Sequence, residues 1–161
     1  MWEAPIVTPD QSIEADWIDY NGHLNMAYYN VLFDRGVDHV YDQIGIGADY
    51  VKNGGGSCFT MEVHVNYLNE LTRNDPVIVS LQLIDVDAKR LHFFQKMING
   101  STGELAATSE QLALHVDMST RRSAPFPEQV QTRLTELLAA HAALDRPEQL
   151  GRVIGIRRQS A

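Results

Sequence analysis

Residues Asp19-Tyr20-Asn21-Gly22-His23-Leu24-Asn25, and the segment that runs on from them to Gly45, decide how this chain folds. Asn and Gly tolerate left-handed backbone and Asp accepts from nearby N–H groups, so Asp19 to Gly22 reads as a tight turn. Beyond it Met26, Tyr29, Phe33, Val37, Val40 and Tyr41 recur at spacings of three and four, the period of one helix face. The spacing predicts a helix from Asn25 to Ile44, with Asn25 as its N-cap and Gly45 and Gly47 closing it. Gly36 falls mid-helix, where glycine costs ~1 kcal/mol relative to alanine. A sheet packed closely against that point accounts for it.

Outward from this helix the period changes. On its N-terminal side, Ser12 to Asp16 alternates like a strand. On its C-terminal side, the Asn53-Gly54-Gly55-Gly56-Ser57 loop leads into Phe59 to Leu68, which alternates with period two. Further strands are expected at Val77 to Val86, Leu91 to Ile98 and Glu104 to Val116, joined by the Asp85 to Lys89 hairpin and the Asn99-Gly100 turn. Pro125 and Pro127 break the pattern. Glu128 to Leu144 then shows an amphipathic helix with Val130, Leu134, Leu137, Leu138 and Ala142 on one face, and the tail from Arg146 has no period. The expected fold is α+β, an antiparallel sheet wrapped around a long, buried central helix, with an extra C-terminal helix. It is expected to form a single domain over residues 1–161, with a core at about 10–127 and the last helix and tail at 128–161. The edges of such a sheet need cover. Pairing them across a two-fold axis makes a homodimer, or a dimer of dimers, the expected assembly.

Composition narrows the functional classes. The chain has 161 residues, 44% hydrophobic and 21% charged, with no apolar run near the ~18 residues that span a bilayer. A net charge of −8 argues against a nucleic-acid-binding protein. Residues 1–120 carry 6 basic and 17 acidic side chains, residues 121–161 carry 7 and 4, so a phosphate-bearing ligand finds more attraction in the C-terminal quarter. A solvated helix face with a basic tail explains the same asymmetry. One cysteine, Cys58, excludes an internal disulfide, and Met1 to Pro5 lacks the pattern of a secretory signal. The expected compartment is the cytoplasm. Cys58 reads as a buried apolar side chain. The histidines at 23, 39, 64, 92, 115 and 141 show no metal-ligand spacing, so no metal site is expected.

The chemistry concentrates at the turn before the long helix. A helix start offers unpaired N–H groups and the positive end of a dipole, which stabilise a carbonyl oxygen that turns negative on attack. A carboxylate beside them can attack or activate water. From spacing alone two readings stay open. Either Asp19 is such a carboxylate, or it braces the turn while His23 and Asn25 cap the helix.

This stretch resembles the Asp-x-x-Gly-His-Val-Asn signature of the hot-dog-fold acyl-CoA thioesterases of the hydroxybenzoyl-CoA thioesterase type. Asp19, Gly22, His23 and Asn25 match it, and Leu24 stands where the family often has Val. The run from Tyr28 to Phe33-Asp34 resembles the family's aromatic run ending in Phe-Glu, with Asp34 departing from it. The resemblance continues through Met61, Asn74-Asp75-Pro76-Val77 (the family usually has Gly-Asp), Ala106 to Asp117 and Pro125-Phe126-Pro127. Trp17 to Asn25, Asp87 to His92 and Ala107 to Gln111 further resemble the betainyl-CoA thioesterases of carnitine catabolism. Those also occur fused to carnitine dehydrogenases. No GxGxxG follows a strand here, so the stand-alone form is expected.

The resemblance implies an activity and a site. The reaction would be hydrolysis of a short-chain acyl-CoA, in the narrower case betainyl-CoA to glycine betaine and CoA. It needs no metal or redox cofactor, CoA entering only as part of the substrate. Asp19 would be the catalytic carboxylate, the Met26 N–H the oxyanion donor, with His23 and Asn25 beside them. Lys89 and Arg90, then Arg121 and Arg122, are the candidates for the CoA phosphates, each pair reading equally as a solvated turn. A quaternary ammonium on the acyl group would be held by aromatic faces, with Trp17, Tyr20, Tyr28 and Tyr67 as candidates and Asp34 or Glu62 supplying charge. Rival readings are a thioesterase for another small acyl-CoA, a non-catalytic acyl-CoA-binding module and a dehydratase of the same fold.

Overall fold

The computed structural model describes residues 1–156; the end of the basic tail, 157–161, lies outside the described residues. The order is β1 (Ile6–Val7), a 3-10 turn (Ala15–Trp17), α1 (Met26–Ile44), α2 (Ala48–Lys52), β2 (Ser57–Tyr67), β3 (Val77–Val86), β4 (Arg90–Asn99), β5 (Leu105–Asp117), β6 (Arg122–Ser123) and α3 (Glu128–His141). All strand pairs are antiparallel, in the sheet order β1-β3-β4-β5-β2, with β6 on the end of β5. None of the described helices is long and apolar enough to cross a membrane.

The main helix and the four long strands stand where the periodicity predicts them, within two residues at each end. Two expectations change. Ser12 to Asp16 is not a strand: Gln11 makes only an isolated bridge to Val77, and the chain then curls into the 3-10 turn. That curl brings Ile13 and Trp17, four residues apart, to the same core. The helix α1 also buries only one stripe, Tyr29, Leu32, Phe33, Gly36, Val37, Val40 and Ile44, while Asn30, Asp34, Asp38 and Asp42 face outward. Asp34 and Asp42 lie a turn either side of Asp38; burial first, and then their charges, push its carboxyl up from its ordinary value.

One short contact sets the height of α1 over the sheet. A Cβ on Gly36 would lie 2.9 Å from both Val79 Cγ1 and Gln95 Nε2, so only glycine allows this approach. The Gln95 amide donates to the Phe33 carbonyl at 2.9 Å, and Gln111 donates to Gln95 and to Ser109 at 3.1 and 3.0 Å. This polar belt divides the core. One cluster gathers round the first half of α1 with Trp17, Leu24, Val77, Val79 and Met97. The other gathers round its second half with Leu81, Phe93 and the α3 residues Val130, Leu134 and Leu137. Each fully buried Leu, Phe or Ile contributes roughly 1.5–3 kcal/mol.

The two edges of the sheet differ. At the β1 edge, the Leu83 N–H is taken by His141 Nδ1 at 2.8 Å, and His141 Nε2 donates to the Glu3 carbonyl at 2.9 Å. At the other edge β2 has no strand beyond it among the described residues. Phe59, Met61, Val63 and Tyr67 are 36%, 57%, 45% and 43% exposed along it.

The His141 contacts require a neutral ring, and burial lowers its pKa from the ordinary 6.5. The unfolded chain therefore binds this proton more readily. The stabilisation is complete above pH about 6.5 and is lost as pH falls through that value toward the folded-state pKa. Denaturant unfolding followed from about pH 7.5 to about pH 5 should show a steeper loss of stability in the native chain than in His141→Asn. Equal slopes would refute the assignment.

Candidate functional site

The start of α1 is held by a small hairpin. Asn25 N–H donates to the Trp17 carbonyl at 2.9 Å, Asp19 N–H to the His23 carbonyl at 3.0 Å and Gly22 N–H back to the Asp19 carbonyl at 3.0 Å. Gly22, at φ +87°, supplies the left-handed residue the turn needs. Leu24 N–H reaches across to the Leu71 carbonyl at 2.7 Å, tying the hairpin to the loop after β2.

Two reactive features follow. Asp19 Oδ1 accepts from the Asn21 N–H at 2.8 Å, and Oδ2 has no hydrogen-bond partner among the described residues. Asn25 Oδ1 accepts from the Ala27 N–H at 3.0 Å as the helix cap. The Met26 N–H, at the first helical position, has no acceptor among the described residues, and it carries the positive end of the helix. Asp19 and Met26 line one open cleft of about 850 Å³. Its other walls come from Tyr20, His23, Tyr29, Tyr67, Glu70 and Glu104. Tyr67 Oη donates to the Met26 carbonyl at 3.1 Å and its ring meets Tyr29 edge-on at 5.1 Å. Burial pushes both phenols up from their ordinary pKa, so they stay neutral at physiological pH.

His23 makes no hydrogen bond with its ring among the described residues. Its Nδ1 stands 4.0 Å from Asp19 Oδ1 and its Nε2 3.9 Å from Glu70 Oε1. It bridges two carboxylates of the cleft. Glu70 and Glu104 come from loops with no period, and the sequence reading misses them; the signal that points to Glu70 is its place just before Leu71, where the hairpin docks.

The remaining expected residues are spread out. Tyr20 is 97% exposed at the cleft mouth, whereas Trp17 is 7% exposed, stacked on Tyr28 at 5.1 Å and covered by the Arg35 guanidinium at 4.9 Å. Trp17 and Tyr28 are thus aromatics of the packing around α1 and line no part of this cleft. Asp34 lies eight residues along α1 from Met26, about 12 Å away. It lines a separate hollow with Asp38, Tyr41 and Cys58, whose thiol burial pushes up to about 12. Glu62 lies on the opposite sheet face, in a cavity with His64, His92 and Glu110. There Glu110 accepts from His92 at 2.9 Å and from the Gly151 N–H at 2.6 Å, which lays the described part of the tail over that face.

The four basic candidates stand at the far end of the sheet. Arg90 pairs with Leu114 in the register, as does Phe59, whereas Tyr67 pairs with Ala107. That separation along β2 is about 25 Å. Arg90 is engaged by Asp87, its Nε donating at 2.7 Å, and this bond first of all holds Asp87 down to about 2. Asp87 also accepts from the Lys89 N–H at 2.8 Å, which forms the hairpin. Arg121, in left-handed backbone at φ +57°, covers the Phe59 ring at 5.6 Å, and Arg122 opens β6.

Residues 13–134 match the Thioesterase-like superfamily. The chain belongs to that superfamily. It is 39% identical over 94% of its length to a betainyl-CoA thioesterase of Pseudomonas aeruginosa, 95% of which is covered. It is 36% identical, over 96% of its length, to an L-carnitine dehydrogenase/betainyl-CoA thioesterase of Rhizobium meliloti, and matches 31% of that longer protein. Among solved structures, a Staphylococcus aureus protein in complex with CoA superposes with TM-score 0.89 at 32% identity, covering 98% of each chain. These kinships fit an antiparallel sheet with α1 on one face.

The cap is a test of the local geometry. Asn25→Ala should cost about 1 kcal/mol in thermal or denaturant unfolding, and Asn25→Asp should recover most of it. An alanine variant as stable as the native chain would show that the cap does not hold the helix start.

Proposed function

We propose that the chain hydrolyses acyl-CoA thioesters at the Asp19 cleft, with betainyl-CoA as substrate and glycine betaine and CoA as products. The observation that carries the reading is that the Met26 N–H, without an acceptor among the described residues, and the Asp19 carboxylate line one cleft, on a chain related over 94% of its length to a betainyl-CoA thioesterase. The carbonyl of the thioester accepts from Met26 N–H, and the charge that develops on it is stabilised there. Asp19 either attacks the carbonyl carbon, expelling the thiolate and leaving an anhydride that water opens, or takes a proton from the water that attacks. A single turnover in isotopically labelled water tests for the first route, because label in Asp19 requires an anhydride that water opens at the Asp19 carbonyl. Neither route calls for a cofactor, and the reaction belongs to carnitine breakdown in the cytoplasm.

The assembly we propose is a homodimer joined along β2. That strand is long, apolar on one face and unpaired at its edge among the described residues, with no proline or lysine to blunt it. Antiparallel pairing about a two-fold axis sets the Phe59 end of one copy beside the Tyr67 end of the other. The separation of about 25 Å along the strand is thereby closed. Arg121 and Arg122 of one copy, less committed than the Asp87-bound Arg90, come within reach of a CoA whose thioester lies on Asp19 of the other. A dimer of dimers keeps the same pairing.

Two experiments test this reading. Asp19→Asn should lower kcat on betainyl-CoA by about 10²–10⁴-fold while CoA still binds; turnover within twofold of native would remove the assigned role. Asp19→Asn coexpressed with an Arg121→Ala/Arg122→Ala chain should regain activity at low substrate, because the mixed dimer holds one complete site. No gain over the two parents would overturn the shared-site arrangement.

A further inference from the structure

We propose that Glu70 is a specificity-determining residue of the cleft, the carboxylate that reads a positive charge on the acyl group. The inference rests on the thioesterase reading above and assigns it a selectivity. The cleft is lined by three carboxylates, Asp19, Glu70 and Glu104, and three phenols, Tyr20, Tyr29 and Tyr67, with no Lys or Arg among its lining residues. An acyl moiety carrying a fixed cation meets attraction and aromatic faces there, whereas an anionic one meets repulsion. Within one chain Asp34 and Glu62 line other hollows, about two turns along α1 and on the opposite sheet face, so neither lines this cleft.

The dimensions select Glu70. His23 touches Asp19 on one side at 4.0 Å and Glu70 on the other at 3.9 Å. Those contacts and the width of the ring hold the two carboxylates no more than about 10 Å apart. A carbonyl carbon in attack position sits about 3–3.5 Å from the Asp19 oxygen. In a betainyl ester the nitrogen follows two bonds further, so an acyl group laid over the His23 ring carries its methyl groups toward Glu70. A quaternary ammonium donates no hydrogen bond, so it needs a charge at van der Waals distance, with no demand on direction. Glu70 offers one with its side chain 77% exposed and the His23 ring 3.9 Å away. Glu104 Oε2 is engaged by the Thr102 hydroxyl at 3.3 Å.

The experiment compares betainyl-CoA with 3,3-dimethylbutyryl-CoA, the neutral ester in which carbon replaces the nitrogen at the same shape. The readout is the ratio of kcat/KM for the cationic ester over the neutral one. Glu70→Gln should lower that ratio about tenfold, and Glu70→Asp should recover part of it. A purely structural role would move both esters together and leave the ratio where it was, and that result overturns the assignment whatever happens to the absolute rates. A native chain that cleaves both esters with equal kcat/KM also overturns it, while the thioesterase reading stands. A native chain that cleaves neither ester removes the betainyl-CoA reading itself, and the selectivity with it.

Discussion

A hairpin only a few residues long, from Trp17 to Asn25, positions both halves of the proposed site. Its backbone bonds close on each other, and Leu24 pins it to Leu71 in the loop after β2. Asp19 sits on one arm and Met26 follows the other, so the carboxylate and the helix amide are positioned by the same short ladder. A carboxylate reaching in from a distant element would vary with every breathing motion between elements. Here a short backbone segment and hydrogen bonds of about 3 Å join the two groups. The preorganisation that an oxyanion site needs is thus local.

The rest of the fold holds that hairpin at a fixed height. Gly36 lets α1 settle onto Val79 and Gln95, and the amide belt beneath it ties the helix carbonyl of Phe33 to the sheet. Apolar packing lies on both sides of the belt, so sliding α1 along the sheet would break amide bonds that have no water to replace them. The β1 edge is closed by backbone and by the neutral His141, while β2 keeps its edge and half its side chains open. The molecule is finished on one side and unfinished on the side where the cleft lies.

Much of this was legible in the sequence, for identifiable reasons. The long helix, its Asn25 cap and its Gly45 stop came from a periodic apolar stripe and from two residues whose chemistry suits helix ends. The four long strands came from alternation. Elements without a period were harder. Ser12 to Asp16 alternates, but Ile13 and Trp17 meet the same core because the chain curls. The short α2 hides behind the glycines after it. In the site, Asp19 and Met26 were readable because turn and helix start are local. Glu70 and Glu104 were not, since loops brought together by β2 and β5 leave no spacing to read. Trp17 is adjacent to the turn in sequence but stacked beneath it in space. Asp34 likewise stands about two turns along α1 from the Met26 amide of its own chain.

The Asx turn at Asp19 has one more consequence. Oδ1 is held by the Asn21 amide, which leaves a single oxygen to meet the substrate and fixes the side from which it comes. In the proposed reaction the carbonyl oxygen points at Met26 at the same time. A planar thioester has two faces, and with its oxygen on Met26 and Asp19, or the water Asp19 activates, on one side, it presents only one of them. A reaction of that kind is stereofacially committed before any acyl group arrives, and esters whose bulk obstructs that face would be excluded by shape.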